Sequence, residues 1–227
     1  MEKLIAFLQQ WWWKALAIAL LGYTLIGGLL LPVPRLPILN ETIRLLHFHV
    51  PMWFGMVLLL LLSVIFAIRY LKSNRLSEDR FSVALAHTGL FFGILGLLSG
   101  MLWAKFTWGD YWSGDPKQTA SAIGMLIYLG YFVLRGALPD DQQRARLSAV
   151  YNIFAFSALI PLLFILPRLE DSLHPGNGGN PGFNAYDLDS QLRLVFYPAV
   201  IGWFLLGFWL SSLQFRRQLL QDQLEEI

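Results

Sequence analysis

The chain has 227 residues, of which 56% are hydrophobic and 14% are charged, and its mean hydropathy is +0.53. Windows of about 20 residues carry no charged side chain, which is typical of a membrane protein and not of an ordinary soluble domain. The absence of cysteine excludes disulfides, thiolate metal sites and cysteine-linked cofactors. A formal net charge of +2, without a basic run interleaved with aromatics, argues against a nucleic-acid partner.

Six apolar windows contain no Lys, Arg, Asp or Glu, and each approaches the roughly 20 residues that a helix needs to cross a bilayer. We predict helices at residues 15–31, 50–68, 82–104, 119–134, 147–166 and 194–215. The first window resembles a secretory signal peptide, but no A-x-A cleavage pattern follows it, and Trp11, Trp12 and Trp13 are typical of membrane-interface anchors. The sequence thus predicts an all-α polytopic membrane protein with six transmembrane helices, forming a single domain over residues 1–227.

The distribution of Lys and Arg predicts the orientation of these helices. With the N-terminus inside, eleven of these residues lie on the inner side and six lie on the outer side. Because cytoplasmic segments carry the excess of positive charge, both termini are expected inside. The outer face then carries the longer loops, so the functional loops are expected on that face.

Two of the outer loops contain residues that break regular structure. The first begins with PVPRLP and continues as NETIRLLHF, which predicts a short helix capped by Asn40. The last contains HPGNGGNPGFN, which is too rich in Gly, Pro and Asn for regular structure. Small residues also follow one face of the third helix and permit either packing within the bundle or contact with a partner subunit: Gly89, Gly93, Gly96 and Gly100.

The chain has four histidines, at positions 47, 49, 87 and 174. In the predicted topology His47 and His49 lie at the outer entry to the second helix, and His174 lies in the last outer loop. Two residues that are two positions apart on a helix point about 200° away from each other, so His47 and His49 are not expected to bind one ion. His87 lies within the third helix, as either a functional group or a neutral hydrogen-bonding residue.

The stretch WGDYWSGDP, residues 108–116, is predicted on the same face as His49 and His174. Two opposed imidazoles can hold a haem iron, whereas further ligands at zinc spacings are absent from the sequence. Trp108, Tyr111 and Trp112 could supply a flat apolar surface. Four outer-loop cations could pair with propionates: Arg35, Arg44, Lys105 and Lys117. The alternative is that these aromatic and imidazole groups are ordinary membrane-interface residues.

Three segments together resemble one known family. WGDYWSGDPKQT, residues 108–119, resembles the signature W-G-x-W-W-x-W-D-x-R-L-T and matches it at Trp108, Gly109, Trp112, Asp115 and Thr119. FHVPMWF, residues 48–54, resembles the His-Val-Pro segment that begins the family's second helix, and SLHPG, residues 172–176, resembles the Leu-His-x-Gly segment of its last outer loop. The family is the CcmC, CcmF and CcsA group of haem-handling proteins in cytochrome c biogenesis, and six helices in a short chain are similar to the CcmC type.

The resemblance implies a carrier and presenter of haem, not an enzyme. It implies that haem b is bound transiently and non-covalently at the periplasmic face of the inner membrane and is presented to the haem chaperone CcmE. Its expected neighbours are membrane lipid, the transporter-like subunits CcmA and CcmB, and the small subunit CcmD. Carried over to this sequence, His49 and His174 are the axial ligands of the iron. The implied haem platform comprises Trp108, Gly109, Tyr111, Trp112, Asp115 and Lys117.

The sequence departs from the family signature at four positions. Tyr111 and Gly114 replace tryptophans, and Lys117 with Gln118 replaces Arg-Leu. Tyrosine keeps a flat aromatic face for the haem platform, whereas glycine lacks an aromatic ring. Trp53 is a candidate to supply the missing aromatic surface. Lysine keeps the positive charge without the planar fork of arginine.

Three other functions are compatible with parts of the sequence. One is a CcsA-like or CcmF-like subunit of a haem-attachment complex, although such relatives have additional intramembrane histidines and this chain has only His87 there. Another is a small-solute transporter, against which the uncharged helix centres and the lack of an internal repeat argue. The third is a structural subunit that packs a partner through its glycine face.

Overall fold

The computed structural model describes residues 2–36, 38–174 and 188–225, which form helices and connecting segments without a strand. The helices are α1 (Glu2–Gln9), α2 (Trp12–Leu30), α3 (Leu46–Ser73), α4 (Leu76–Trp108), α5 (Pro116–Gly136), α6 (Asp141–Phe164) and α7 (Ser190–Glu225). Two short 3-10 helices span Asn40–Leu45 and Leu166–Arg168. Helices α2 to α7 are long and apolar enough to cross a membrane, which confirms the predicted fold class and the six spans.

Most helices extend beyond the predicted windows. Helix α3 begins at Leu46, α4 continues to Trp108 and α7 continues to Glu225. The difference arises because hydropathy marks only the part of a helix that can lie in hydrocarbon, whereas a helix continues until a capping residue or turn ends it. Asn40 is not the predicted cap: it has a φ of +42° and makes no side-chain capping bond, and the 3-10 helix that it begins leads directly into α3.

Helices α3 and α4 form the central pair of the bundle. Helix α7 packs against both of them, α2 lies on α7, and α6 packs against α3 and α5. The main apolar core runs through this assembly and includes Met56, Leu60, Phe92 and Phe215. At the N-terminal corner Trp11 and Trp12 are exposed, but Trp13 is buried against Phe208 of α7, so only two of the three tryptophans have the predicted surface position.

The glycine face of α4 contacts α3. A side-chain carbon at Gly89 would lie 2.7 Å from Leu60, one at Gly96 would lie 2.8 Å from Trp53, and one at Gly100 would lie 2.8 Å from His49. These glycines therefore bring the two central helices close together. Packing within the bundle, one of the two interpretations of this face, is confirmed.

A buried polar cluster joins the central pair to α6. The hydroxyls of Ser63 and Ser82 each donate to the backbone carbonyl of the other residue at 2.7 Å, and the amide of Asn152 donates to the Ser63 hydroxyl at 2.7 Å. Tyr128 of α5 donates to the Asn152 carbonyl oxygen at 3.4 Å. Because an unpaired polar group in an apolar bundle is costly, these bonds fix the registers of four helices.

Ion pairs concentrate at the end of the bundle that carries the short 74–75 and 137–140 connections. Arg135 donates to the buried carboxylate of Asp79 at 2.9 Å, and Arg69 pairs with buried Glu78 at 2.9 Å. Arg80 also pairs with Asp222. The opposite end, called the loop end below, carries residues 31–36, 38–45, 109–115 and 165–174. The predicted orientation places the loop end outside.

Candidate functional site

The aromatic stretch forms a short, locally determined loop between α4 and α5. Helix α4 ends at Trp108, where Gly109 adopts a φ of +93° and turns the chain away from the helix. Helix α5 begins at Pro116, and the Asp115 carboxylate caps it by accepting from the Lys117 amide at 2.8 Å. Proline at the first helical position and aspartate before it are favoured at helix N-termini.

Gly114 and Gln118, two of the departures from the family signature, both shape this loop. Gly114 has a φ of +74°, a conformation that a tryptophan would adopt only with strain, although no atom lies within 4 Å of an added side-chain carbon. The buried Gln118 side chain accepts from the Ser113 amide and hydroxyl at 3.1 and 3.0 Å and donates to the Tyr111 carbonyl at 3.3 Å. Gln118 was not among the predicted site residues, and its replacement of an apolar residue in the signature was the available signal.

His174 is held against the same loop by Asp115. The Nδ1 atom of His174 lies 2.9 Å from Oδ1 of Asp115, whose side chain is fully buried while that of His174 is 23% exposed. The Asp115 carboxylate also accepts from the Ser172 hydroxyl at 2.9 Å and from the Leu173 amide at 2.7 Å. A single carboxylate therefore caps α5, orients His174 and fixes the segment that carries that histidine.

Asp115 is held in its ionised form. Burial alone would raise the pKa of this carboxyl group, but the hydrogen bond and charge of His174, together with the Ser172 and Leu173 donors, outweigh that effect and hold the pKa well below its usual range. An ionised carboxylate accepts hydrogen bonds and donates none. The proton shared between His174 and Asp115 therefore lies on Nδ1 of the imidazole.

His49 is oriented by a serine of the neighbouring helix. Its Nδ1 atom lies 2.9 Å from the hydroxyl oxygen of Ser99, and that hydroxyl lies 3.1 Å from the Gly96 carbonyl oxygen. The hydroxyl has one proton, which it donates to the carbonyl, so its oxygen accepts from Nδ1 of His49. Ser99 was missed by the sequence analysis, although a polar residue near the outer end of an apolar helix was a signal.

Both imidazoles thus engage Nδ1 in a hydrogen bond and leave Nε2 as the atom that can bind a metal. The described residues contain no group of three or more His, Asp or Glu side chains that could hold a metal ion. A site with two imidazoles fits the axial coordination of a haem iron better than a zinc site, which takes four ligands.

The predicted platform residues differ in their positions relative to the two histidines. The Trp108 ring meets the His174 ring edge to face at a centroid distance of 4.9 Å. Tyr111 and Trp112 are 54% and 43% exposed and present aromatic surface at the loop end. The ring centroids of Trp53 and His49 lie 6.4 Å apart, and Trp53 packs on Gly96, so it borders that histidine from within the bundle.

The four basic residues that were predicted to pair with propionates differ in their contacts. Arg44 donates to the carbonyls of Gly28 and Leu31 at 3.1 and 2.8 Å and so completes the end of α2. Lys105 donates to the Gly109 carbonyl at 2.7 Å, and Arg35 is exposed. Lys117 lies close enough to interact electrostatically with both His49 and Asp115.

The other two histidines are directed elsewhere. His47 is buried against α2, and a Cβ atom added at Gly28 of that helix would lie 3.3 Å from the Cβ atom of His47. The Nδ1 atom of His47 has no hydrogen-bond partner among the described residues. His87 is exposed on α4 and meets the Phe132 ring at 4.6 Å. By contrast, His49 and His174 lie close enough to interact electrostatically.

The six spans and the two oriented imidazoles define a multi-pass membrane protein with a candidate two-histidine site at the loop end. The family model CcmC, described as heme exporter protein C, matches residues 2–226. The chain therefore belongs to the heme exporter protein C family.

Individual relatives agree with this assignment. Heme exporter protein C of Haemophilus influenzae is 24% identical over 211 residues, which cover 91% of this chain and 83% of the relative. Heme exporter protein C of Rhodobacter capsulatus is 30% identical over 168 residues, which cover 68% and 65%. The chain is also similar to cytochrome c biogenesis protein CcsA of Pelargonium hortorum, at 38% identity over 79 residues that cover 34% of this chain and 25% of the relative.

Proposed function

We propose that this protein carries haem b at the periplasmic face of the inner membrane during cytochrome c maturation, with His49 and His174 as axial ligands. The observation that supports the proposal most is that both imidazoles lie at the loop end with Nδ1 engaged and Nε2 available. Family membership supports haem as the cargo. In this proposal the haem is bound transiently and without a covalent link, and the absence of cysteine excludes a thioether link to the chain.

The surrounding residues have distinct roles in this proposal. Trp108 and Trp112 contact the macrocycle, and Tyr111 extends that surface as a flat aromatic ring. Lys117 pairs with a propionate as a point charge. Gly109 and Gly114 shape the backbone of the loop, and Asp115 orients His174. The protein binds and releases haem, so its role is that of a carrier.

The proposed recipient is the haem chaperone CcmE. CcmA and CcmB are proposed as transporter-like neighbours, with CcmD as a small additional subunit. Exposed Tyr111 and Trp112 support delivery from the loop end because their rings are open to an incoming partner there. The excess of positive charge at the opposite end supports the periplasmic placement of this surface.

Haem titration of the full chain in detergent tests the proposal. We expect one haem per chain with the absorption spectrum of a bis-imidazole complex, and a weakened Soret band in His49→Ala and in His174→Ala. His87→Ala is the matched control, because His87 is an exposed histidine of α4 away from the site, and its spectrum should match the unmodified protein. Unchanged binding in both ligand variants would refute the assignment.

A further inference from the structure

The two imidazoles differ in the charge of the group that holds Nδ1. The partner of His174 is the carboxylate of Asp115 at 2.9 Å, whereas the partner of His49 is the hydroxyl of Ser99 at 2.9 Å. The distances are equal, so the difference lies in the chemistry of the acceptor. A hydrogen bond to an ionised acceptor is roughly twice as strong as one between neutral groups.

Both acceptors are fixed in place by their own bonds. Asp115 is buried and accepts from the Ser172 hydroxyl and from the Leu173 and Lys117 amides as well as from His174. Ser99 is tied to the Gly96 carbonyl one turn earlier on α4. Because neither acceptor can move freely, each imidazole keeps its own partner, and the asymmetry is built into the fold.

The identity of the Nδ1 partner changes the strength of the iron bond at Nε2. A carboxylate draws the Nδ1 proton toward itself, which raises electron density on the ring and makes the imidazole a stronger ligand. A hydroxyl that already donates its proton elsewhere has a weaker effect. His174 is therefore the stronger of the two ligands in electronic terms.

We infer that Asp115 and Ser99 are positioning residues that make the axial pair unequal, so that His174 retains the haem while the His49 bond breaks first. This inference rests on the proposed function and adds the order in which the ligands leave. It also assigns a direction to transfer: a ligand supplied by an acceptor would replace His49, while His174 and the α4–α5 loop would still hold the haem.

Carbon monoxide binding to the ferrous haem complex of the full chain tests the inference. Carbon monoxide must replace one axial ligand, so its binding rate is limited by dissociation of the weaker one. We expect Ser99→Asp to slow binding about tenfold and Ser99→Ala to accelerate it several-fold. Ser157→Ala and Asp110→Asn are matched controls: Ser157 bonds a carbonyl of its own helix, and Asp110 is an exposed acid of the same loop.

The vibrational spectrum of the carbon monoxide complex identifies the ligand that remains. If His174 remains, Asp115→Asn shifts the iron–carbon stretching frequency and the Ser99 variants do not, a pattern that a purely structural role for Asp115 would not produce. The reverse pattern, or equal responses to changes at both positions, would overturn the inference and leave the two-histidine site intact. A bis-imidazole spectrum that persists in both His49→Ala and His174→Ala would instead overturn the proposed function and this inference with it.

Discussion

At the scale of single residues, the α4–α5 loop depends on two glycines with positive φ. Gly109 ends α4, and Gly114 sets the approach to the Asp115 cap. Gly114 therefore has a structural role besides the loss of an aromatic side chain. Its backbone conformation places Asp115, which bonds His174 and caps α5. The loop thus carries Trp108, Tyr111 and Trp112 on a turn that a bulky residue at position 114 would strain.

Gly114→Ala tests this role of the backbone. An added side-chain carbon meets no atom within 4 Å, so the effect comes from the left-handed conformation alone and should destabilise the protein by about 1–2 kcal/mol. Thermal unfolding in detergent measures it. Tyr111→Trp, at a half-exposed position of the same loop, should leave the melting temperature unchanged. Equal stability of Gly114→Ala and the unmodified protein would show that the turn does not need glycine.

At the scale of helices, the contact between α3 and α4 positions His49. The α4 glycines let the helices approach until Trp53 lies over Gly96 and His49 lies over Gly100. The same approach brings His49 within hydrogen-bonding distance of Ser99. The packing of the central pair and the geometry of one proposed ligand are therefore set by the same surface.

Gly100→Ala should disturb that geometry without unfolding the bundle. The added carbon would lie 2.8 Å from Cε1 of His49, so the imidazole must shift, and haem affinity should fall about tenfold. Haem titration measures the change. Gly22→Ala in α2, where an added carbon meets nothing, should bind haem normally. Normal binding by Gly100→Ala would contradict the placement of His49 against α4.

The buried polar cluster provides a test of helix register. Asn152→Ala removes the donor to Ser63 and the acceptor for Tyr128, and should cost about 1–2 kcal/mol of stability. A double-mutant cycle with Ser63→Ala should show that the two changes are not additive, because they remove one shared bond. Additive effects measured by thermal unfolding would mean that the two side chains do not interact.

At the scale of the whole molecule, six apolar windows were sufficient to predict six spans, because the bilayer requires long uncharged helices. The helix ends could not be predicted equally well, since Trp108 and Asp115 mark ends set by backbone conformation and capping. The motifs predicted candidate site residues, of which the structure brings Trp108, Asp115 and His174 together, but they did not predict the hydrogen-bond partners of the histidines. Ser99 and Asp115 lie 50 and 59 positions from His49 and His174, and only packing brings them together.

The predicted orientation can be tested directly because the chain contains no cysteine. Asp171→Cys places one thiol at the loop end, and Ala137→Cys places one at the opposite end, both at exposed positions. A membrane-impermeant maleimide applied to intact spheroplasts should label the first variant and label the second only after lysis. The opposite pattern would place the loop end in the cytoplasm.

The central claim is that His49 and His174 bind one haem from its two faces, and low-temperature electron paramagnetic resonance of the ferric complex tests it most directly. The unmodified protein and His87→Ala should give a low-spin signal, because two imidazoles create a strong axial field. His49→Ala and His174→Ala should each give a high-spin signal from an iron with one imidazole. A low-spin signal unchanged in either ligand variant would contradict the account.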